Sequence, residues 1–417
     1  MKLSETLRRR GYVHQHSSET LEEITDNKKR TLYLGIDPTA DSMHVGHLMG
    51  LLVMRRFLED GHKIVLLTGG GTGMIGDPGG KSEERNLLDA KTIKHNTKAV
   101  ANQIKKAFGS SNFIEVDNAG WLSKVKLLEF LRDVGKHFTV NAMIKKDIVR
   151  DRLEKESPIS FTEFSYSLLQ GYDFLHLNKE YGCDLQVGGS DQWSNILAGV
   201  EYIRRKENKT VYAFTWPLLV NKSTGKKFGK SEGGAVWLDP KKTSPFEFYQ
   251  FWLNADDGVV EEYLLKMTLL SIEEIEKIMA EHKNNPAERV AQKKLTLEVT
   301  TLVHGAEEAL RVQKISEVLF GGGDLAKLSR KEKELLLETA PRYQIPDSKI
   351  GTPVVDILAE CPWTLSKREA RTLIESGAIS LDDEKITDVS FMVSLKGGKG
   401  DLMLLRKGKK DVLVLYS

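Results

Sequence analysis

A chain of 417 residues exceeds what a single hydrophobic core normally organises, so two to four domains are expected. With 40% hydrophobic and 29% charged residues the chain is neither disordered nor fibrous, and a net charge of only +2 leaves any nucleic-acid contact to local patches. No apolar run reaches the roughly 18 residues of a membrane span, and residues 1–30 are charged and amphipathic with no signal-peptide centre. Cys183 and Cys361 stand far apart without metal-ligand spacing, as expected of reduced thiols in a cytoplasmic protein with no membrane partner.

The first 30 residues read as one or two short helices. Residues 31–36 follow as a strand in which Leu32, Leu34 and Ile36 alternate with Thr31, Tyr33 and Gly35, so Tyr33 leaves on the face opposite the leucines. Pro38 ends the strand, and Asp41 and Ser42 are N-cap types ahead of a helix from about residue 46 to Gly61. Residues 63–68 form a nearly continuous apolar strand, which completes a βαβ unit. A glycine-rich loop occupies 69–81. Residues 89–109 read as helix, 113–116 as strand and 123–155 as mostly helix. Ser160-Phe161-Thr162-Glu163 fits a capping box opening a helix to about Leu177. A strand at 183–187, a helix at 195–205 and a strand within 210–220 finish the pattern.

This alternation defines an α/β class with a doubly wound parallel, Rossmann-like domain over residues 1–220. A lysine-rich loop and connector cover 221–245. Residues 246–325 are helical, with segments at 246–253, 259–267, 272–283 and 288–319. A polar linker is expected over 326–350, and 351–417 reads as a small α+β module.

Several groups of residues have chemistry to offer. His44 and His47 share one face at a helix start, where the partial positive charge and unpaired amides suit phosphate; two polar residues capping a surface helix are the plain alternative. Lys227 and Lys230 lie in a loop bordered by Gly225, Gly229, Gly233 and Gly234, able to close over a polyphosphate or simply to be solvated. The loop at 69–81 lacks both the Walker spacing and G-x-G-x-x-G, so its glycines would let backbone approach a ligand, with Asp77 supplying a carboxylate; a flexible surface loop is the alternative. Lys81 and Arg85 beyond it could reach pyrophosphate or stay solvated. Tyr166, Gln170 and Asp173 form one polar stripe on their helix, suited to a small-molecule pocket or to solvent. Gly188 to Gln192 follow a strand end, where Asp191 could accept from a ribose hydroxyl or cap the next helix.

The order of these groups is distinctive. His44-Val-Gly-His47 followed by Lys227-Phe-Gly-Lys230-Ser231 resembles the paired signatures of class I aminoacyl-tRNA synthetases. Tyr33-Leu-Gly-Ile-Asp37-Pro, Thr72-Gly-Met-Ile-Gly-Asp77-Pro, Phe161-Thr-Glu-Phe-Ser-Tyr166, Gln170-Gly-Tyr-Asp173-Phe and Gly188-Gly-Ser-Asp191-Gln192-Trp193 narrow the resemblance to the bacterial-type tyrosyl-tRNA synthetases, over essentially the whole chain. The tail is similar to the S4 RNA-binding module.

The resemblance implies L-tyrosine, ATP and tRNA(Tyr) as partners, Mg2+ on the ATP phosphates, no protein-bound metal, and a homodimer with a helical surface near Phe161. It implies that Tyr33 and Asp173 hold the phenol, that Asp77, Tyr166 and Gln170 hold the ammonium group, and that Gln192 and Asp37 flank the reacting groups. His44, His47, Lys227, Lys230 and Ser231 would serve the phosphates, with Lys81 and Arg85 near pyrophosphate, while Asp37, Thr39, Gly46, Gly189 and Asp191 complete the ATP surface. Two positions depart from the pattern: Phe228-Gly229 replaces Met-Ser between the lysines, and Gly50 brings no side chain to the ATP edge. In the tail, Lys367, Arg368 and Arg371 on one helix and Arg406 and Lys407 near a hairpin tip are expected to meet RNA.

The chemistry agrees. A carboxylate is already ionised at neutral pH and can attack the α-phosphorus of ATP without a general base, so positioning and charge stabilisation suffice. A tryptophanyl enzyme and an RNA-binding protein on a retired synthetase scaffold are the competing readings. Tyr33 with Asp173 speaks against the first, and intact histidines and lysines against the second.

Overall fold

The computed structural model describes residues 1–79, 87–109, 112–219, 230–231, 234–346, 349, 351–361, 363–364, 366–393, 401–408 and 411–417. The chain divides into two compact units, 1–244 with 252–303, and 245–251 with 304–417.

The first unit is built on strands β1 (Gln15–His16), β2 (Thr31–Ile36), β3 (Lys63–Thr68), β4 (Ile114–Asp117), β5 (Leu185–Gly189) and β6 (Tyr212–Trp216). Their order is β1-β6-β5-β2-β3-β4. All neighbours are parallel except the edge strand β1, which runs antiparallel to β6. The strand direction of winding therefore reverses between β2 and β5, where Leu32 pairs with Leu185 and Tyr33 with Gln186. Ligands in open α/β sheets bind outside the carboxyl ends of the strands at such a point. The doubly wound expectation holds. Both sheet faces are covered, which is why Leu32, Tyr33 and Leu34 are all buried although they alternate faces.

Helix Val45–Glu59 ends as expected: Gly61 has φ 87°, and His62 N–H donates back to the carbonyl of Phe57. Helix Phe161–Tyr181 starts at Ser160, whose hydroxyl accepts from Glu163 N–H. The Glu163 carboxylate makes a buried ion pair with Arg152 at 3.1 Å. This helix lies close against helix Trp193–Glu207 because glycines meet there: a Cβ on Gly171 would stand 3.5 Å from the Gly199 Cα. The close crossing sets the Tyr166, Gln170 and Asp173 stripe over the carboxyl end of the sheet.

The long helical stretch read over 123–155 is broken into Leu127–Asp133, Val140–Ile144 and Asp147–Glu154, preceded by the short turn of helix Ala119–Leu122. The helix expected over 288–319 divides at Gly305, whose φ of 94° no right-handed helix accommodates, giving Val290–His304 and Ala306–Phe320. Strand β1 escaped the sequence because two residues carry no period. Strands β7 (Lys230–Ser231) and β8 (Gly234–Ala235) pair antiparallel at the end of the lysine signature.

The second unit centres on a five-stranded sheet of β9 (Arg342–Gln344), β10 (Ile379–Leu381), β11 (Glu384–Ile386), β12 (Leu402–Lys407) and β13 (Asp411–Tyr416), in the order β11-β10-β12-β13-β9. Helices Val354–Leu358 and Lys367–Glu375 bury Ile357, Leu358, Ala370 and Ile374 against Leu405, Leu413 and Leu415. The stretch 326–350, expected as a linker, contains helix Arg330–Thr339 with a Ser329–Glu332 capping box, and β9, which pairs in parallel with β13. Its lysine-rich composition concealed Leu336, fully buried on one helix face.

Candidate active site

The first half of the site is the start of helix Val45–Glu59. Its N-cap is His44, with extended backbone at φ −117° and ψ 172°, in place of the expected Asp41 or Ser42. Asp41 instead pairs with Lys242, and the Ser42 hydroxyl donates to the Met43 carbonyl. His44 Nδ1 accepts from Gly46 N–H at 3.0 Å, and His47 Nδ1 accepts from His44 N–H at 3.2 Å. A neutral imidazole that accepts at Nδ1 carries its proton on Nε2. Both rings, 4.1 Å apart and half-buried, are thereby fixed as Nε2–H donors at a helix N-terminus. That is the arrangement a phosphate needs.

The chain after the lysine loop returns to this point. Val45 N–H donates to the Val236 carbonyl at 3.0 Å and Leu238 N–H to the Met43 carbonyl at 2.9 Å, making an antiparallel bridge between His44 and Trp237. The hairpin of β7 and β8 is thus tethered beside the histidines. Lys81, Arg85 and Lys227 lie outside the described residues, as do the side chains of Lys230 and Ser231.

The second half is a deep polar pocket. Asp173, 2% exposed, accepts from Asn118 Nδ2 at 2.9 Å and from Trp121 Nε1 at 2.7 Å. Burial pushes its carboxyl up to about 7, against the pull of these two donors, with Asp37 and Asp117 adding to the rise. The Tyr33 hydroxyl is buried and has no hydrogen-bond partner among the described residues. Burial, and then the charge of Asp173, pushes its proton loss well above the usual phenol range. A buried hydroxyl left unpaired is costly, so this one is suited to meet a polar group entering the pocket.

Nearer the mouth, Tyr166 OH donates to Asp37 Oδ2 at 2.7 Å and Thr72 Oγ1 donates to Asp37 Oδ1 at 2.7 Å. Asp77 accepts from Gln192 Nε2 at 2.6 Å and from Gly79 N–H at 2.9 Å, with Asn195 Nδ2 at 3.4 Å. The glycine loop makes this crowding possible: a Cβ on Gly69 would lie 2.0 Å from Asp37 Oδ1. Gly71 N–H donates to Asn118 Oδ1 at 2.7 Å. The glycines therefore make room for the protein's own carboxylates and amides as well as for any ligand.

Among the residues singled out in the sequence, these bonds bring together Tyr166 with Asp37 and Gln192 with Asp77. Gln170 is half-buried on the stripe, Thr39 is exposed with its N–H on the Asp37 carbonyl, and Gly189 and Asp191 lie at the carboxyl end of β5 and the turn beyond it. Gly50 is explained by packing: a Cβ there would stand 2.9 Å from Trp216 Cζ2. Asn118, Trp121, Thr72 and Asn195 were missed. Asn118 directly follows the carboxyl end of β4, and the rule that drew attention to Gly188–Gln192 could have found it.

In the second unit, Arg368 and Arg371 are exposed and Lys407 is half-buried, while Lys367 pairs with Asp356. Arg406 corrects the sequence reading. It is 8% exposed, and its guanidinium donates to the carbonyls of Val318 and Leu319 at the end of helix Ala306–Phe320 and to Asp383 at 2.8 Å. Those donors cap a helix and are not offered to RNA.

Comparison with known proteins first gives the class. The family model of class I tRNA synthetases (W and Y) matches residues 25–321. The model of the tyrosine–tRNA ligase SYY-like C-terminal domain matches residues 332–415. The tyrosine–tRNA ligase of Roseiflexus castenholzii is 45% identical over 412 residues, covering 97% of this chain and 96% of the relative. That of Pediococcus pentosaceus is 47% identical, covering 98% of each. Among solved structures, a C-terminally truncated mitochondrial tyrosyl-tRNA synthetase of Aspergillus nidulans superposes with a TM-score of 0.68 at 34% identity, covering 75% of this chain and 92% of that one. The chain belongs to the tyrosine–tRNA ligases, the class I aminoacyl-tRNA synthetases that activate L-tyrosine with ATP and pass it to tRNA(Tyr).

Proposed function

We propose the following division of labour within that activity. Asp173 accepts a hydrogen bond from the substrate phenol while the Tyr33 hydroxyl meets the phenol oxygen; the Tyr33 hydroxyl, unpaired among the described residues, is the observation that carries this reading. Asp77, Tyr166 and Gln170 hold the ammonium group. Asp37, held by Tyr166 and Thr72, lies on the amino-acid side of the junction with ATP, and Gln192 orients Asp77.

At the other half, the Nε2–H groups of His44 and His47 donate to phosphate oxygens as charge grows there, joined by Lys227, Lys230 and Ser231 from the tethered loop and by Lys81 and Arg85. Thr39, Gly46, Gly189 and Asp191 frame the nucleotide, with Asp191 on the ribose. Mg2+ enters with ATP as part of the substrate and neutralises its phosphates. The tyrosine carboxylate attacks the α-phosphorus, pyrophosphate leaves, and the 3′-terminal hydroxyl of the tRNA then takes the tyrosyl group from the adenylate. No general base is required in the first step because the nucleophile is already ionised.

The domain reading places catalysis in residues 1–220, the lysine signature and connector in 221–245, tRNA contacts in 246–325, and RNA binding in 351–417 through Lys367, Arg368, Arg371 and Lys407. A homodimer is supported by apolar side chains left in water: Leu127 is 70% exposed, Leu128 79%, Val140 61% and Phe161 75%. A cytoplasmic place is supported by two buried free thiols, Cys183 and Cys361. Among the described residues no helix is long and apolar enough to cross a membrane.

Tyrosine-dependent exchange of pyrophosphate into ATP tests the assignment of the first step. Exchange supported by tyrosine, with the preference over phenylalanine erased in Asp173→Ala, is the expected result; retained preference in that variant refutes the pocket.

A further inference from the structure

The indole of Trp121 is grasped twice from one helix. Its Nε1–H donates to Asp173 at 2.7 Å, and its ring stacks on the imidazole of His176 with centroids 4.2 Å apart and planes 24° apart. His176 follows Asp173 by three residues on helix Phe161–Tyr181, so acceptor and stacking ring share a face. The polar stripe of Tyr166, Gln170 and Asp173 thus extends one turn further than the sequence reading took it.

Trp121 needs such a hold. It is only half-buried, packed at the margin of the core formed by Tyr33, Leu168 and Phe174. Trp121 and His176 also line an open cavity of about 770 Å³ with Lys124, Tyr172 and Lys206. An indole at the edge of an open cavity keeps rotamer freedom, and its N–H reaches the Asp173 carboxylate from only one of those orientations. Burial pushes the His176 imidazole below its usual range against the opposing charge of Glu180, so at neutral pH the ring is uncharged and stacks as a flat aromatic surface.

We propose that His176 is a positioning residue for tyrosine selection: its stack on Trp121 holds the indole N–H on Asp173 and thereby aims the carboxylate at the substrate phenol. This rests on the reading of Asp173 as the phenol acceptor. The effect is expected on the amino acid alone, because the indole is held through Asp173 and His176.

The test is steady-state pyrophosphate exchange by full-length His176→Ala, His176→Leu and His176→Phe, with Asp173→Ala in parallel. His176→Ala is expected to raise the tyrosine KM on the order of 3- to 10-fold, the worth of one aromatic pair. Its ATP KM stays within roughly twofold of the parent, as for a substitution distant from that substrate. His176→Phe restores the tyrosine KM, whereas His176→Leu, which fills space without a ring, does not. An unchanged tyrosine KM in His176→Ala, or rescue by leucine equal to that by phenylalanine, overturns the proposal. Loss of tyrosine preference in Asp173→Ala alongside either of those results leaves the pocket intact and removes only the stack; retained preference in Asp173→Ala removes the pocket itself.

Discussion

His44 and Trp237 are joined by an antiparallel backbone bridge, and their rings meet edge to face with centroids 6.2 Å apart. The contact brings the chain that follows the lysine signature back to the histidine signature, the two parts of the proposed ATP site. Lys242 lies 5.1 Å from the centre of the Trp237 ring and pairs with Asp41, closing the same corner from the other side. Trp237→Ala removes the edge contact and the cation–π contact while leaving the backbone bonds to Met43 and Val45. Together these contacts are worth about 1.5 kcal/mol, roughly tenfold in rate. Single-turnover adenylate formation is expected to slow by about that factor with tyrosine affinity unchanged. A weakened tyrosine affinity with normal chemistry would place Trp237 in the wrong half of the site.

His47→Asn probes the cap directly. The variant loses an Nε2–H donor whose direction is fixed by the bond from His44 N–H to His47 Nδ1. A preorganised donor that follows developing charge is worth roughly 3 kcal/mol, so adenylate formation should fall on the order of 100-fold while the equilibrium binding of tyrosine holds. Rapid-quench measurement of adenylate separates the two. Equal losses in both would mean that His47 supports the fold and not the transition state.

The histidine pair, the strand before it and the Tyr166 to Asp173 stripe were legible because each is local: a period of two, a spacing of three or four, a capping serine. The N-cap was misplaced by a few residues because His44, a poor capping type on average, uses its ring nitrogen as the acceptor that Asp41 or Ser42 would have supplied as oxygen. Asn118 and Trp121 were invisible for another reason. They stand 55 and 52 residues from the carboxylate they hold, and only the parallel pairing of β3 with β4 brings them to it. Arg406 shows the converse: a basic residue at a hairpin that composition offers to RNA, but whose charge satisfies helix carbonyls.

The boundary of the C-terminal sheet is set by β9. A chain cut before residue 350 keeps helix Arg330–Thr339 and β9 but loses β13, the partner to which β9 is hydrogen-bonded. That leaves an unpaired edge and an open apolar face. Cutting after Gly322 removes the sheet as a whole. The shorter chain is expected to retain pyrophosphate exchange within roughly twofold and to lose most tRNA charging, and to remain more soluble than the chain cut at 350. The salt dependence of charging should flatten in both, since phosphate contacts of the tail are lost. Charging by the shorter chain equal to that of the full chain at every salt concentration would remove RNA binding from the tail.

With Asp173 as the phenol acceptor, tyrosine selection is expected to depend on pH near neutrality. Burial raises its carboxyl to about 7, so without substrate it is largely protonated below that value and ionised above it. An acid whose folded value is raised destabilises the fold progressively as pH climbs from its unfolded value, near 4, to about 7, because the charge must then be buried. The substrate phenol, which donates to the ionised form, offsets that cost. Tyrosine should therefore bind with release of a proton around neutral pH, and its affinity should fall by about tenfold from pH 8 to pH 6 as the ionised fraction drops. Phenylalanine has no proton to give and should show no such dependence. Isothermal titration in buffers of different ionisation enthalpy reads the proton directly. Proton uptake, or a phenylalanine profile parallel to that of tyrosine, would show that Asp173 acts from its protonated form and that the phenol is held chiefly by Tyr33.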